Sequence, residues 1–169
     1  FYINFDNLSR SFRFNPLKNV SDKTVLMQLM EDMLLSMQAK DAKQDEWFAG
    51  GLGILRGVAY RLYDEYREYC TIPHILTLIM NSSQDSLTRF LEQNTISEMM
   101  AGAFLKAKGS EKTQASYIST LSNQIATMAT DENIAWVLSG NDFDFNLIDP
   151  EHPKMFAVSN NFSKNSVYS

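Results

Sequence analysis

The chain has 169 residues, of which 44% are hydrophobic and 21% charged, with a formal net charge of −5 and one cysteine. That length is natural for one globular domain and buries roughly 70% of the unfolded surface. The acidic balance argues against a stand-alone nucleic-acid binder, the lone Cys70 excludes an internal disulfide and suits a reducing compartment, and no apolar run reaches the roughly 18 residues of a membrane span.

Phe1-Tyr2-Ile3-Asn4-Phe5 is β-prone, and Ser11-Phe12-Arg13-Phe14-Asn15-Pro16-Leu17 reads as extended up to its proline. Val20-Ser21-Asp22 offers a cap for a helix over 23–39. Apolar residues, including Met27, Met30, Met33 and Met37, cover most of its circumference, which predicts a central, buried helix. Irregular core filling accounts for the methionines better than an adaptable groove does. After a polar break at 40–44, a long helix is predicted over 45–69, with a stripe through Trp47, Phe48, Leu52, Leu55, Ala59, Leu62, Tyr63 and Tyr66. Gly50, Gly51, Gly53 and Gly57 lie inside it. Each costs about 1 kcal/mol relative to alanine, and Gly53 and Gly57 share a face, so a close helix contact is the expected compensation. A phosphate loop is rejected here, because there is no Gly-Lys-Ser/Thr and no preceding strand.

Thr71 begins a helix to 80 with Pro73 in its first turn, and a short helix follows over 85–93. Thr95-Ile96-Ser97-Glu98 fits a capping box for a helix to 107. Ser110 caps a long helix to 130, with Tyr117, Ile118, Leu121, Ile125 and Met128 on one face, and Asp131 caps a last helix over 132–139. Gly140 fits the left-handed position that closes helices, and Asn141-Asp142 makes a turn. Phe143 and Phe145 alternate with Asp144 and Asn146 as in a half-buried strand, and a proline-rich turn occupies 149–153. The apolar run at 154–159 suits a strand buried on both faces, which requires neighbours on both sides. The predicted fold is therefore mainly α: about seven helices in a bundle, with short β segments at both termini. Strand-like ends around a helical middle, no initiator methionine, and a buried strand without neighbours suggest an insertion cut from a larger α/β protein.

Chemistry-bearing motifs are sparse. His74 sits in a helix start and His152 in a turn; Cys70-x3-His74 is a weak zinc signal. No Gly-x-Ser-x-Gly nucleophile motif is present. Asp142, Asp144 and Asp149 lack the glycine and terminal glutamate of an EF-hand loop and are read as turn residues. No catalytic, cofactor-binding or metal residue is assigned. Basic residues gather at Arg10, Arg13 and Lys18, at Lys40 and Lys43, and at Lys106, Lys108 and Lys112. The last three are the candidate nucleic-acid or partner contact.

The SFRFNPL segment at 11–17, Cys-Thr-Ile-Pro-His at 70–74 and WVLSGNDFDFNLIDPEHPKMFAVSNN at 136–161 resemble the coupling-protein ATPases of type IV secretion, the TraG/TraD family, in the form carried by conjugative and mobilisable elements. The resemblance runs through the whole chain. It implies a strand-like lead-in from a motor domain at 1–19, an all-alpha domain at 20–140, and a turn and strand returning to the motor at 141–169. The whole is then an insertion domain of a RecA-like α/β motor. The implied function is recognition of the relaxase–DNA substrate, or of relaxosome accessory proteins, in conjugative DNA transfer. The implied location is the cytoplasmic side of the inner membrane, as a soluble part, without membrane contact, of an anchored and hexameric parent. The family's nucleotide-binding motifs fall outside these residues, so the fragment is expected to be no enzyme and to hold no cofactor; ATP and Mg²⁺ belong to the parent. Two other readings stay open: an independent helical DNA-binding module, which needs a continuous basic face, and a helical protein–protein adaptor. At this net charge weak DNA binding is expected, and the two strand-like ends should lie on one side of the bundle.

Overall fold

The structure, a computed structural model, describes residues 1–38, 44–143, 151 and 155–159. It is mainly helical, with strand β1 (Tyr2–Asn4) near the start and β2 (Ala157–Ser159) near the end. Between them lie α1 (Lys23–Ser36), α2 (Glu46–Tyr66), α3 (Ile72–Asn81), α4 (Gln84–Glu92), α5 (Thr95–Met100), α6 (Gly102–Lys106), α7 (Glu111–Thr130) and α8 (Glu132–Leu138).

Local side chains start most of these helices. Asp22 accepts the N–H groups of Thr24 and Val25, Asp45 those of Trp47 and Phe48, and Asp131 those of Asn133 and Ile134, so orphan donors of each first turn are satisfied. Thr71 does the same for His74 at α3. At α7 the Ser110 hydroxyl instead meets the Thr113 hydroxyl, 2.8 Å away. The capping box expected at Thr95 is displaced by one residue: Asn94 is the cap, accepting from Ile96 and Ser97. The single helix expected from there to 107 breaks at Ala101 (φ −85°, ψ 18°) into α5 and α6, so among the described residues eight α-helices stand where about seven were expected.

The centre of the bundle is α2, not α1. Helix α1 buries Leu26, Met30, Met33 and Leu34 but leaves Val25 46% exposed. Helix α2 is buried from Phe48 to Tyr63 over most of its surface, because its glycines admit close neighbours. A methyl group on Gly53 would lie 2.6 Å from the Met100 carbonyl oxygen, and one on Gly57 would lie 2.9 Å from that of Ser97. The Ser97 hydroxyl donates to the Gly57 carbonyl at 2.8 Å, fully buried. Helix α5 thus lies directly on the glycine face, as the shared face predicts, while α7 crosses at Gly51 against Leu121.

The two ends of the chain meet. Strands β1 and β2 pair in parallel, Tyr2 beside Ala157, Ile3 beside Val158 and Asn4 beside Ser159. The other side of β1 is occupied by Phe12, whose N–H donates to the Tyr2 carbonyl at 2.9 Å, and by the Ser11 hydroxyl, which accepts from the Asn4 N–H at 2.9 Å. Phe1 stacks on Phe156 and meets Phe12 edge-on, and Phe14 stacks on Phe143. Ile3, Val137 and Phe143 form a small second core beneath. The strand expected to be buried on both faces is not: Met155 is 80% and Val158 58% exposed, and β1 is its one neighbour among the described residues. The alternating strand expected at 143–146 and the turn at 149–153 lie outside the described residues apart from Phe143 and Glu151, as do Lys40, Lys43 and His152.

Candidate functional site

Three sequence-distant motifs converge at the end of α8. Asn15, 2% exposed, donates from Nδ2 to the carbonyls of Cys70 (2.9 Å) and Glu68 (3.3 Å), while its Oδ1 accepts from the Leu17 N–H. Arg13 grips Asp142 from three donors: its backbone N–H at 2.8 Å, Nε at 3.1 Å and Nη2 at 2.8 Å. In return the Asp142 N–H donates to the Arg13 carbonyl at 3.1 Å, and the Phe14 N–H donates to that of Val137 at 2.7 Å. Hydrogen bonding from Arg13 holds the Asp142 carboxyl below the usual carboxylate range and raises the Arg13 guanidinium in turn. Gly140 is not left-handed, since no described glycine has positive φ. Its use is steric: a Cβ there would lie 2.9 Å from the Arg13 guanidinium carbon. These motifs therefore fasten both ends of the chain to the bundle, and Asp142 is committed to an arginine.

Beside this junction lies a cleft of about 480 Å³ between the end of α2 and α3, lined by Leu62, Tyr66, Tyr69, Cys70, Pro73, His74, Thr77 and Leu78. A second concavity of about 570 Å³ shares Tyr69 and His74 with it and adds Asn15, Lys18, Glu68, Thr71, Ser139, Gly140 and Asn141. Cys70 is 1% exposed, and burial pushes its thiol up to about 12, which makes it a poor metal ligand and nucleophile. Among the described residues no three His, Cys, Asp or Glu side chains gather to hold a metal ion. Tyr66 and Tyr69 are 54% and 75% exposed. They stand out because α2 stops at Arg67, which takes φ 48° and ψ −120°, and a 3-10 turn over Arg67–Tyr69 follows. The helical period puts Tyr66 in a buried stripe and does not single out Tyr69; the interleaving in Tyr66-Arg67-Glu68-Tyr69 is the signal that points to both.

The lysine cluster is differently placed. Lys106 ends α6, Lys108 lies in a 3-10 turn over Ala107–Gly109, and Lys112 lies in the first turn of α7. Lys108 pairs with Glu92 at 2.8 Å, and Lys106 shares a concavity with Glu92 and Glu98. The charge there is mixed rather than a basic face. No described helix is long and apolar enough to cross a membrane.

A family model described as type IV secretory system conjugative DNA transfer matches residues 1–160. No curated protein and no solved structure matches the chain.

Proposed function

The chain belongs to the conjugative DNA transfer family of type IV secretion, and from that membership we propose that it recognises the substrate to be transferred, a relaxase–DNA complex or relaxosome accessory proteins. The family match over residues 1–160 is the observation that carries this reading. The helical domain acts without catalysis of its own, inserted in a RecA-like motor whose ATP and Mg²⁺ sites belong to the parent. That parent is a membrane-anchored hexamer on the cytoplasmic side of the inner membrane.

The parallel pairing of β1 and β2 supports the insertion. Parallel neighbours require a crossover connection, and here the crossover is the whole helical bundle. Parallel sheets are ordinarily covered on both faces, so the exposed Met155 and Val158 fit a sheet that continues in the motor. The net charge of −5 supports weak intrinsic DNA affinity, with specificity supplied by protein contacts or by several linked copies.

Fluorescence anisotropy tests the proposal. The 169-residue chain is titrated against a labelled relaxase–oligonucleotide complex, the accessory proteins, and free oligonucleotides, at roughly 50 and 200 mM salt. Binding to the protein-containing substrates that persists at the higher salt, with free-DNA binding that fades, is the expected result. Absence of binding to all three leaves the adaptor reading instead. Tight, salt-resistant binding of free duplex favours an independent DNA-binding module. A thermal shift with millimolar Mg-ATP is expected to be flat.

A further inference from the structure

We propose that the face carrying Tyr66 and Tyr69, rather than the cluster Lys106, Lys108 and Lys112, is where this chain holds single-stranded DNA, with bases on the tyrosine rings and backbone phosphates on Lys18 and Arg67. This assignment rests on the reading of the chain as a substrate-recognition component.

Single exposed aromatics need no explanation. Two within four residues, flanking an open apolar cleft, mark an interaction surface, and neither tyrosine hydroxyl has a hydrogen-bond partner among the described residues. The rings are not exposed through looseness. Arg67 is the one described non-glycine residue with positive φ, a sparsely populated conformation that persists where surroundings impose it. Asn15 braces the turn that follows from beneath, donating to the carbonyls of Glu68 and Cys70. The platform is therefore held in place before any ligand arrives.

The charges around it suit an anion. Arg67 reaches Asp64 at 3.4 Å, but that same carboxylate oxygen is held at 2.7 Å by Lys23, so the guanidinium charge is largely spare. Lys18 is exposed and has no ion pair among the described residues. Besides Asp64 two carboxylates lie nearby: Glu65 is taken by Arg61 at 2.8 Å, and Glu68 is the one that opposes. At the lysine cluster, by contrast, Glu92 and Glu98 offset the cations. Bases stack on any accessible aromatic face irrespective of sequence, while cations follow the backbone. Both requirements are met here, on a chain that is acidic elsewhere.

The test is anisotropy of the intact 169-residue chain with a labelled oligothymidine at low salt, each variant first shown by circular dichroism to melt as the parent does. Tyr66→Ala and Tyr69→Ala should each weaken binding roughly tenfold, and Tyr69→Phe, which keeps the ring, should restore it. Lys18→Ala should weaken binding and flatten its salt dependence by roughly 0.7 in the log–log slope. Glu68→Gln should tighten it, and Lys106→Ala with Lys112→Ala should leave it within about twofold. Loss of binding in the double lysine variant, with the tyrosine variants unaffected, overturns the proposal while leaving substrate recognition standing. So does a tyrosine variant that binds oligothymidine normally but loses the relaxase, which makes this face a protein interface. Failure to bind oligothymidine, relaxase and accessory proteins alike defeats both readings.

Discussion

A methyl group at Gly53 would press on the Met100 carbonyl, which is backbone and has nowhere to move, whereas one at Gly102 meets nothing within 4 Å. Gly53→Ala should therefore cost about 1–3 kcal/mol by overpacking, in spite of alanine's better helix propensity. Gly102→Ala, at the first residue of α6, should be neutral or stabilising by up to about 1 kcal/mol. Urea denaturation of the two variants side by side measures the contrast. Cys70 gives a second residue-level expectation. Its thiol is 1% exposed and pushed up to about 12 by burial, so at pH 8 it should react with an aromatic disulfide reagent only as fast as the protein opens. Reaction within seconds in native buffer would contradict that burial.

Between elements, Arg13 and Asp142 clasp residues 11–15 to the turn after α8. The Asp142 carboxyl is depressed in the folded chain, by hydrogen bonding from Arg13 first of all. The stability it contributes is therefore present above the ordinary carboxylate pKa and is lost as pH falls through the lower, folded value. Asp64, depressed by its hydrogen bond from Lys23, acts in the same direction between α1 and α2. Asp142→Asn should lower stability by about 1 kcal/mol at neutral pH and shrink the loss seen below about pH 4; denaturation midpoints across pH 2–6 report both. What the sequence reveals at this scale follows interaction range. The helix starts at Asp22, Thr71 and Asp131 are legible because each capping partner lies within three residues. The glycine face of α2 is legible from the helical period alone. The break at Ala101 is not, because it comes where α5 lies against Gly53 and Gly57, some 40 residues earlier. The four methionines of the first predicted helix indicate apolarity but not neighbours, so α1 reads as central when it is peripheral. Lys108 reads as a free cation because its partner, Glu92, sits 16 residues away on another helix. Tyr66 continues the stripe of α2 by count, yet as the last residue of the helix it is 54% exposed.

Over the whole molecule, the described residues form one large core around α2 and a small one where the ends meet. Phe143, 7% exposed, joins the small core to the aromatic cluster, touching Phe1, Phe12, Phe14 and Phe156. Phe143→Ala should free the ends while sparing the bundle. Amide exchange in residues 1–15 and 155–159 should accelerate, while α2 and α7 keep their protection. Uniform acceleration would mean that the two cores are one cooperative unit. The same pairing of ends bears on how the chain folds. Phe1 donates to the Met155 carbonyl across 154 positions, whereas neighbouring helices close far shorter loops, and closure entropy must be lost before such distant contacts are made. The bundle should therefore form first and the strands join last. A weakened strand pair should then leave the refolding rate nearly unchanged and appear almost wholly as faster unfolding, so that β1 and β2 set how long the native state lasts rather than how quickly it is reached.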